Sequence, residues 1–275
     1  MNAPEFAAEA TAYFRDLQAR LCSAFEAFEP TKRFEARSWA KPAGHRLQGG
    51  GDSRLMRGDV FEKVGVNVSH VWGVFPQESR AQVAGAQESD GRFTACGISL
   101  VAHMANPYVP IVHMNLRYLT TSRTWFGGGA DLTPTYPFAE DTAAFHAALR
   151  GACDAYRPGA YAQYKAWCDR YFYLPHRQEP RGVGGIFFDD LDSGDARADF
   201  AFVRAVGEAL LGVYPQLVQR RKDTPFDERA RDALLLKRGR YVEFNLVYDR
   251  GTKFGFSTDA DPEAYLMSLP PLARW

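Results

Sequence analysis

Between Gly97 and Leu119, side chains that handle protons or bind carboxylates recur at alternate positions. Imidazole can relay protons near neutral pH, and a guanidinium matches a carboxylate bidentately. Successive side chains of a strand point to opposite faces, so these groups share one face and the apolar residues between them share the other. A merely solvated face would carry lysine, glutamate and threonine instead, and the pattern therefore predicts a functional site. The polar positions are Ser99, His103, His113, Asn115 and Arg117.

A turn separates the two halves of this segment. It reads Asn106-Pro107-Tyr108-Val109-Pro110, and two alternating runs joined by such a turn predict an antiparallel hairpin. We expect the hairpin to bury its apolar face and to gather its polar side chains on the other. The expected core positions are Ile98, Leu100, Ala102, Met104, Val112, Met114, Leu116 and Tyr118.

Two further charged residues follow glycine-rich or strand-like segments. Three glycines at 127–129 precede Asp131, which suggests backbone that passes close to something flat or bulky. They do not form a G-x-G-x-x-G or P-loop pattern, so nucleotide binding gains little support. Asp131 fits either a buried carboxylate or a turn cap. Arg181 precedes the apolar run at 182–188 and is either a carboxylate anchor or an ordinary surface residue.

Histidines outside the hairpin widen the set of possible metal ligands. His146 lies in a helical pattern and His176 follows a proline. A lone histidine is more often a satisfied core or surface residue than a ligand, and no H-E-x-x-H spacing is present. The four cysteines form no C-x-x-C pair, which favours reduced thiols in an intracellular protein.

The elements that must position these residues alternate between helix and strand. Helical periods predict helices over 4–28, 139–156, 159–173 and 196–221, and Thr224-Pro225 would begin another. Alternation predicts strands over 60–72 and 240–248, and a short apolar run predicts another over 182–188. The glycine-rich, basic segment 40–58 is interpreted as a loop, either an idle connector or a lid over an anionic ligand. Strands of alternating polarity between helices predict one α+β domain over residues 1–275, with an antiparallel or mixed sheet.

Composition excludes several classes of protein. With 33 basic and 33 acidic residues, the 275-residue chain has no overall field for nucleic acid or an anionic membrane. There is no secretory signal pattern and no stretch of 18 apolar residues. We therefore expect a cytoplasmic protein with no integral membrane segment and no nucleic-acid partner.

Long motifs across nearly the whole chain resemble the oxygen-dependent coproporphyrinogen III oxidase family. They appear in order as GVNVSHVWG at 65–73, GISLVAHMANPYVPIVHMNLRY at 97–118, WFGGGADLTPTYPF at 125–138, YKAWCDRYFYLPHR at 164–177, RGVGGIFFDDL at 181–191, RGRYVEFNLVYDRGTKFGF at 238–256 and MSLPPLARW at 267–275. The resemblance implies a large flat antiparallel sheet covered by helices on both faces, a homodimer, and a dimerisation region over 241–275. It also implies an enzyme of haem synthesis that converts two propionates of coproporphyrinogen III to vinyl groups, giving protoporphyrinogen IX. Molecular oxygen is consumed and no redox cofactor is expected.

The resemblance also assigns candidate site residues. His113 matches a proton donor, and the positions that match substrate contacts are Ser99, Asn115, Leu116, Arg117, Asp259, Ala260 and Asp261. The histidines that match proposed ligands of a divalent metal ion are His103, His113, His146 and His176. We further expect Asp131 to accept hydrogen bonds from pyrrole N–H groups, and Arg117 and Arg181 to hold propionates.

One departure from the family pattern keeps other functions open. The chain has Asp259-Ala260-Asp261 where the family usually carries a Gly-Gly-Arg-like triplet, and an acid there would repel a propionate. The alternatives are a tetrapyrrole-binding protein without catalysis and a histidine-centred metallohydrolase.

Overall fold

A seven-stranded antiparallel sheet forms the centre of the protein, in the order β1-β2-β3-β4-β5-β6-β9. The computed structural model describes residues 3–81, 83–257 and 261–275. The strands are β1 (Glu35–Ala40), β2 (Leu47–Met56), β3 (Lys63–Val74), β4 (Arg92–His103), β5 (Ile111–Thr120), β6 (Thr124–Thr133), β7 (Tyr173–Leu174), β8 (Glu179–Pro180) and β9 (Gly184–Leu191), with β7 and β8 forming a separate ribbon. The helices are α1 (Ala3–Glu26), α2 (Gln77–Arg80), α3 (Ala139–Tyr156), α4 (Ala160–Tyr171), α5 (Ala196–Arg221), α6 (Glu228–Val247), α7 (Arg250–Ser257) and α8 (Pro262–Tyr265), followed by a 3₁₀ turn at Leu266–Ser268.

The predicted hairpin is confirmed as β4 and β5. All eight of its expected core side chains are at most 1% exposed. They pack beneath α1 and α5, where the Phe6 ring stacks on Tyr118 and meets Phe200 edge-on. This side of the sheet holds the main hydrophobic core, whose burial stabilises the fold by the transfer of apolar surface from water.

The other side of the sheet carries the polar residues and is only partly covered. A small apolar cluster of Val101, Ile111, Tyr241 and Met267 joins α6 and the 3₁₀ turn to β4 and β5. Helices therefore lie on both sides of an antiparallel sheet, and the predicted α+β fold is confirmed. No helix in the described ranges is long and apolar enough to cross a membrane.

The strand predicted at 240–248 is wrong, because these residues form the C-terminal half of α6 and the first residue after it. The buried positions Leu234, Arg238, Tyr241 and Asn245 are spaced by three or four residues, as one helix face requires. Two of these four are polar, which hid the helical period and left an apparent alternation. The helix also begins later than predicted from Thr224-Pro225, since the side chain of Asp227 caps it by accepting from the Ala230 amide.

The loop predicted over 40–58 is also wrong for most of its length, because Leu47–Met56 is β2, paired with β1 and β3. Its glycines serve close packing. A Cβ on Gly51 would lie 2.6 Å from the Trp39 ring, and Gly49 has φ +97° with the His70 carbonyl 2.2 Å from an added Cβ. Both readings of the segment, as connector or as lid, therefore fail for β2.

Candidate active site

A row of small polar residues crosses the partly covered face of the sheet. Strand pairing aligns Ser53, Asn67, Ser99, Asn115 and Gly129 on five neighbouring strands. With strands spaced by about 4.8 Å, the row is about 19 Å long. The adjacent row contains Gly51, Ser69, Gly97, Arg117 and Gly127. These two rows, called the floor below, form a surface on which a broad, flat ligand can lie.

One end of the floor carries an arginine–aspartate cluster. Arg117 Nη2 lies 2.6 Å from Asp189 Oδ1, and Arg250 Nη2 donates to the other oxygen at 2.9 Å. An added Cβ on Gly127 would lie 2.5 Å from Asp189 Oδ1 and 2.6 Å from Arg117 Nε, so the glycine makes room for this pair. Two guanidiniums with one carboxylate leave a net positive end, which suits an anionic ligand.

Beside the floor, Asp131 and Arg181 form a buried ion pair. Arg181 Nη2 donates to both carboxylate oxygens at 2.8 Å, and each side chain is 2% exposed. Arg181 Nη1 donates to Asn245 Oδ1 at 3.1 Å, which connects the pair to α6. Asn245 in turn donates to Ser268 Oγ at 3.2 Å. Arg181, Asn245 and Ser268 thus connect Asp131 to three separate parts of the chain.

Aromatic rings enclose the Arg181 guanidinium. Its central carbon lies 4.0 Å from the ring centre of Phe172, 4.5 Å from that of Tyr241 and 4.7 Å from that of Phe244. Burial alone would raise the pKa of Asp131, but the Arg181 charge and a hydrogen bond from His113 outweigh it and lower the pKa below its usual value. Asp131 is therefore an ionised carboxylate at neutral pH.

His113 connects this buried carboxylate to the floor. Its Nδ1 lies 2.8 Å from Asp131 Oδ1, and its side chain is 22% exposed. Since an ionised carboxylate only accepts hydrogen bonds, Nδ1 carries the proton and the lone pair of the neutral ring is on Nε2. Nε2 has no hydrogen-bond partner among the described residues. The arrangement can accept or donate a proton at Nε2 while Asp131 keeps the ring in one orientation.

The four histidines predicted as metal ligands have separate partners. His103 is fully buried, where its Nε2 donates to the Ser268 carbonyl at 2.8 Å and burial lowers its pKa to about 3. His146 contacts Tyr161 and the Val183 carbonyl, and His176 contacts Glu243 and Tyr248. Within the described ranges, no three His, Cys, Asp or Glu side chains are grouped to hold a metal ion. The predicted four-histidine ligand set does not fit this arrangement.

The other predicted substrate contacts divide into four groups. Ser99, Asn115 and Arg117 lie on one face, the shared face that the alternation predicts, whereas the Leu116 side chain is fully buried on the opposite face. Leu116 can therefore offer only its backbone. Asp259 and Ala260 lie outside the described residues. Asp261 caps α8 through the Glu263 amide and pairs with Arg37 at 3.1 Å.

Sequence reasoning missed several residues of this site. Asn245 was assigned to a strand face, although its spacing of seven from Arg238 on one helix face was an available signal. Asp189 and Arg250 had no such signal, because each gains its role from a partner more than 60 residues away. Phe172 contacts the site through the Arg181 guanidinium and the His113 ring.

The fold and the site together define an α+β protein with a proton-handling histidine beside a floor for a broad anionic ligand. The chain belongs to the coproporphyrinogen III oxidase family, whose sequence model matches residues 9–275. It is 50% identical over 274 residues to a Rickettsia bellii (strain OSU 85-389) protein named oxygen-dependent coproporphyrinogen-III oxidase, with 96% of each chain covered. Proteins of the same name from Rickettsia akari (strain Hartford) and Rickettsia felis (strain ATCC VR-1525 / URRWXCal2) are 52% and 53% identical, with 96% and 97% of each chain covered.

Proposed function

We propose that the protein is an oxygen-dependent oxidase that converts two propionates of coproporphyrinogen III to vinyl groups, giving protoporphyrinogen IX. For each propionic acid, one C–H bond and the bond to the carboxyl carbon break, and a carbon–carbon double bond and carbon dioxide form. Dioxygen accepts the two electrons and, with two protons, leaves as hydrogen peroxide. The observation that carries this proposal is a histidine with a free Nε2 next to the row of small side chains that crosses the floor.

The floor supports binding of a macrocycle with carboxylates at its edge. No side chain in the row from Ser53 to Gly129 is longer than asparagine, so a broad ligand can approach the backbone closely. Arg117 and Arg250 supply two guanidiniums for the single carboxylate of Asp189. A propionate at this end would therefore gain charge-assisted hydrogen bonds that the protein alone does not complete.

His113 is the proposed catalytic residue. A porphyrinogen is electron-rich, and removal of a pyrrole N–H proton makes it reactive toward dioxygen without a redox cofactor. The Nε2 lone pair of His113 can accept such a proton, and the neighbouring Asp131 carboxylate stabilises the resulting imidazolium. Nε2 can then return the proton to reduced oxygen.

The geometry favours Asp131 as a positioning residue. It is 1% exposed, and both oxygens already accept from Arg181. Direct acceptance of pyrrole N–H bonds by Asp131 stays a prediction, and it requires the carboxylate to become accessible. The contact predicted between Arg181 and a propionate likewise stays a prediction, since both terminal nitrogens already have protein acceptors.

Metal chemistry is not needed by this proposal. The four predicted ligand histidines contact different protein groups, and within the described ranges no three possible ligands are grouped around one point. Dioxygen takes up the electrons and protons that the substrate releases, with His113 as the proton carrier.

One assay tests the activity against both alternatives. Coproporphyrinogen III is mixed with the protein without oxygen, oxygen is admitted, and carbon dioxide and protoporphyrin fluorescence are followed. We expect two equivalents of carbon dioxide per protoporphyrin, only after oxygen is admitted. Binding without carbon dioxide release would indicate a carrier, and activity that depends on bound metal and is lost with chelator would favour a metallohydrolase.

We also propose that the protein acts as a homodimer in the cytoplasm. Large apolar side chains remain 41–66% exposed on α6 and the C-terminal segment, namely Leu236, Leu246, Val247, Leu272 and Trp275. Most of them fall within the predicted dimerisation region 241–275, and contact with a second copy would remove this surface from water. The four cysteines are buried and unpaired, which suits a reducing compartment.

A further inference from the structure

A second polar recess lies on the same face of the sheet, at the end away from Arg117. It is a cavity of about 250 Å³ between β1–β3 and the segment 261–267. Ser53 and Asn67 of the floor row also line it, so the cavity continues the floor. Its inner wall includes Lys63, and Arg57 lies at its side.

Lys63 is a nearly buried cation with incomplete hydrogen bonding. The residue is 8% exposed, and Nζ donates to the Leu269 carbonyl at 2.7 Å. An ammonium has three donors, and this carbonyl uses one. Burial and the positive charge of Arg57 lower the pKa of Lys63 to about 8, so the ammonium form still prevails at pH 7.

Arg57 adds a second positive charge that the protein leaves without a partner. It is exposed and has no hydrogen-bond or ion-pair acceptor among the described residues. Two cations on one cavity wall repel each other unless an anion lies between them. The wall therefore has the charge and the free donors to bind a carboxylate.

Acidic residues of the cavity do not cancel this charge at its inner end. Asp261 already pairs with Arg37 at 3.1 Å. Glu35 and Glu263 are exposed, so solvent screens their charges; Glu263 acts to raise the pKa of Lys63, but less than burial and Arg57 act to lower it. The nearly buried ammonium of Lys63 is screened much less, so an anion at the inner end interacts mainly with Lys63 and Arg57.

The cavity is too far from His113 to hold the carboxylate that reacts there. Pairing places Lys63 opposite His103, and His113 opposite Val101, so Lys63 and His113 are two strands and two residues apart. These offsets correspond to about 12 Å between their Cα atoms. Coproporphyrinogen III has four propionates, of which two remain in the product.

We propose that this cavity binds a propionate that the enzyme does not decarboxylate, with Lys63 and Arg57 as its cationic partners. The inference rests on the proposed function for the choice of ligand. It makes the cavity a shared site for substrate and product, which fixes the orientation of the macrocycle through both decarboxylations. Removal of a positive charge from the cavity should therefore weaken the binding of substrate and product by a similar factor.

Fluorescence titration of the full-length protein with two stable porphyrins tests the proposal. Coproporphyrin III carries four propionates and protoporphyrin IX carries the two retained ones. Arg57→Gln should raise the Kd of both by about tenfold, the loss typical of one charge-assisted hydrogen bond. The matched control is Arg92→Gln, an exposed arginine (78%) at the start of β4, which should change neither Kd.

A second variant protects the test from a structural artefact. Lys63→Met keeps an unbranched apolar stem and should weaken both porphyrins by more than tenfold, with its fold checked by circular dichroism. A loss confined to coproporphyrin III would overturn the proposal, because the cavity would then hold a reacting propionate. Unchanged Kd values in Arg57→Gln would overturn it as well. Failure of the proposed activity appears separately, as porphyrin binding without oxygen-dependent carbon dioxide release.

Discussion

Replacement of Arg181 with methionine should destabilise the protein and shows what this arginine does. The substitution leaves the Asp131 carboxylate, 1% exposed, without its cation, while the apolar stem still contacts the surrounding rings. Removing one partner of a buried ion pair costs about 3–5 kcal/mol. For a domain of this size that corresponds to a fall in Tm of roughly 6–20 °C, measurable by calorimetry together with urea unfolding.

A double variant removes the unpaired buried charge of Asp131 as well. Arg181→Met combined with Asp131→Asn should recover at least about 2 kcal/mol of the loss, since no uncompensated carboxylate remains buried. The loss of stability caused by Arg181→Met alone should also become smaller as the pH falls from 7 to 5. Without Arg181, burial raises the pKa of Asp131 above its unfolded value, and stability returns as the folded carboxylate takes up a proton.

Binding measurements decide between the two roles of Arg181. If it acts through Asp131, the folded double variant should bind coproporphyrin III within about threefold of the wild type and lose turnover. A rise of more than tenfold in Kd would indicate that Arg181 anchors a propionate. The buried-pair reasoning would be refuted if Arg181→Met were within about 1 kcal/mol of wild-type stability. It would also be refuted if the double variant were no more stable than Arg181→Met.

Three further predictions concern other parts of the molecule. His113→Asn keeps a donor toward Asp131 but removes the Nε2 base. Carbon dioxide release should therefore fall by about 10²–10⁴-fold with little change in porphyrin Kd. Near-normal turnover would exclude His113 as the proton carrier. Hydrogen bonds from Arg177 and His176 lower the pKa of Glu243 to about 2. Glu243→Gln should therefore have a lower free energy of unfolding than the wild type at pH 7. In urea unfolding, this difference in free energy should vanish as the pH falls from 4.5 toward 2. A difference that does not change with pH would contradict this. Leu272→Asp should shift a sedimenting dimer toward monomer, and an unchanged mass would remove the C-terminal segment from the proposed interface.

The hairpin was predictable because one physical rule governs it. Strand alternation separates apolar from polar residues, so the sequence alone identified the floor residues Ser99, Asn115 and Arg117 and the core beneath them. The same rule misled at 240–248. There, Asn245 occupies a buried helix position, as Arg238 does just before this segment, and their polarity concealed the helical period.

The partner of Asp131 was not predictable from local pattern. Arg181 lies 50 residues further along the chain and reaches Asp131 only because β9 pairs with β6, with Asp131 opposite Gly185. The other acceptor of Arg181, Asn245, lies in the part of α6 that the sequence pattern predicted as a strand. Hydrogen bonds between such distant residues depend on sheet order and helix packing, which no spacing in the sequence records.

Charge placement explains how a chain with no net charge can bind an anionic ligand. Arg181 cancels Asp131 within the protein interior, so this pair contributes little field to the floor. Arg117 and Arg250 outnumber Asp189 at one end, and Lys63 and Arg57 lie near the other. A compact dianion would satisfy only one end, whereas a ligand with carboxylates around a broad ring can satisfy both. The two cationic ends are separated along the row from Ser53 to Gly129, which carries no long side chain, and this separation therefore selects for the size of the ligand as well as for its charge.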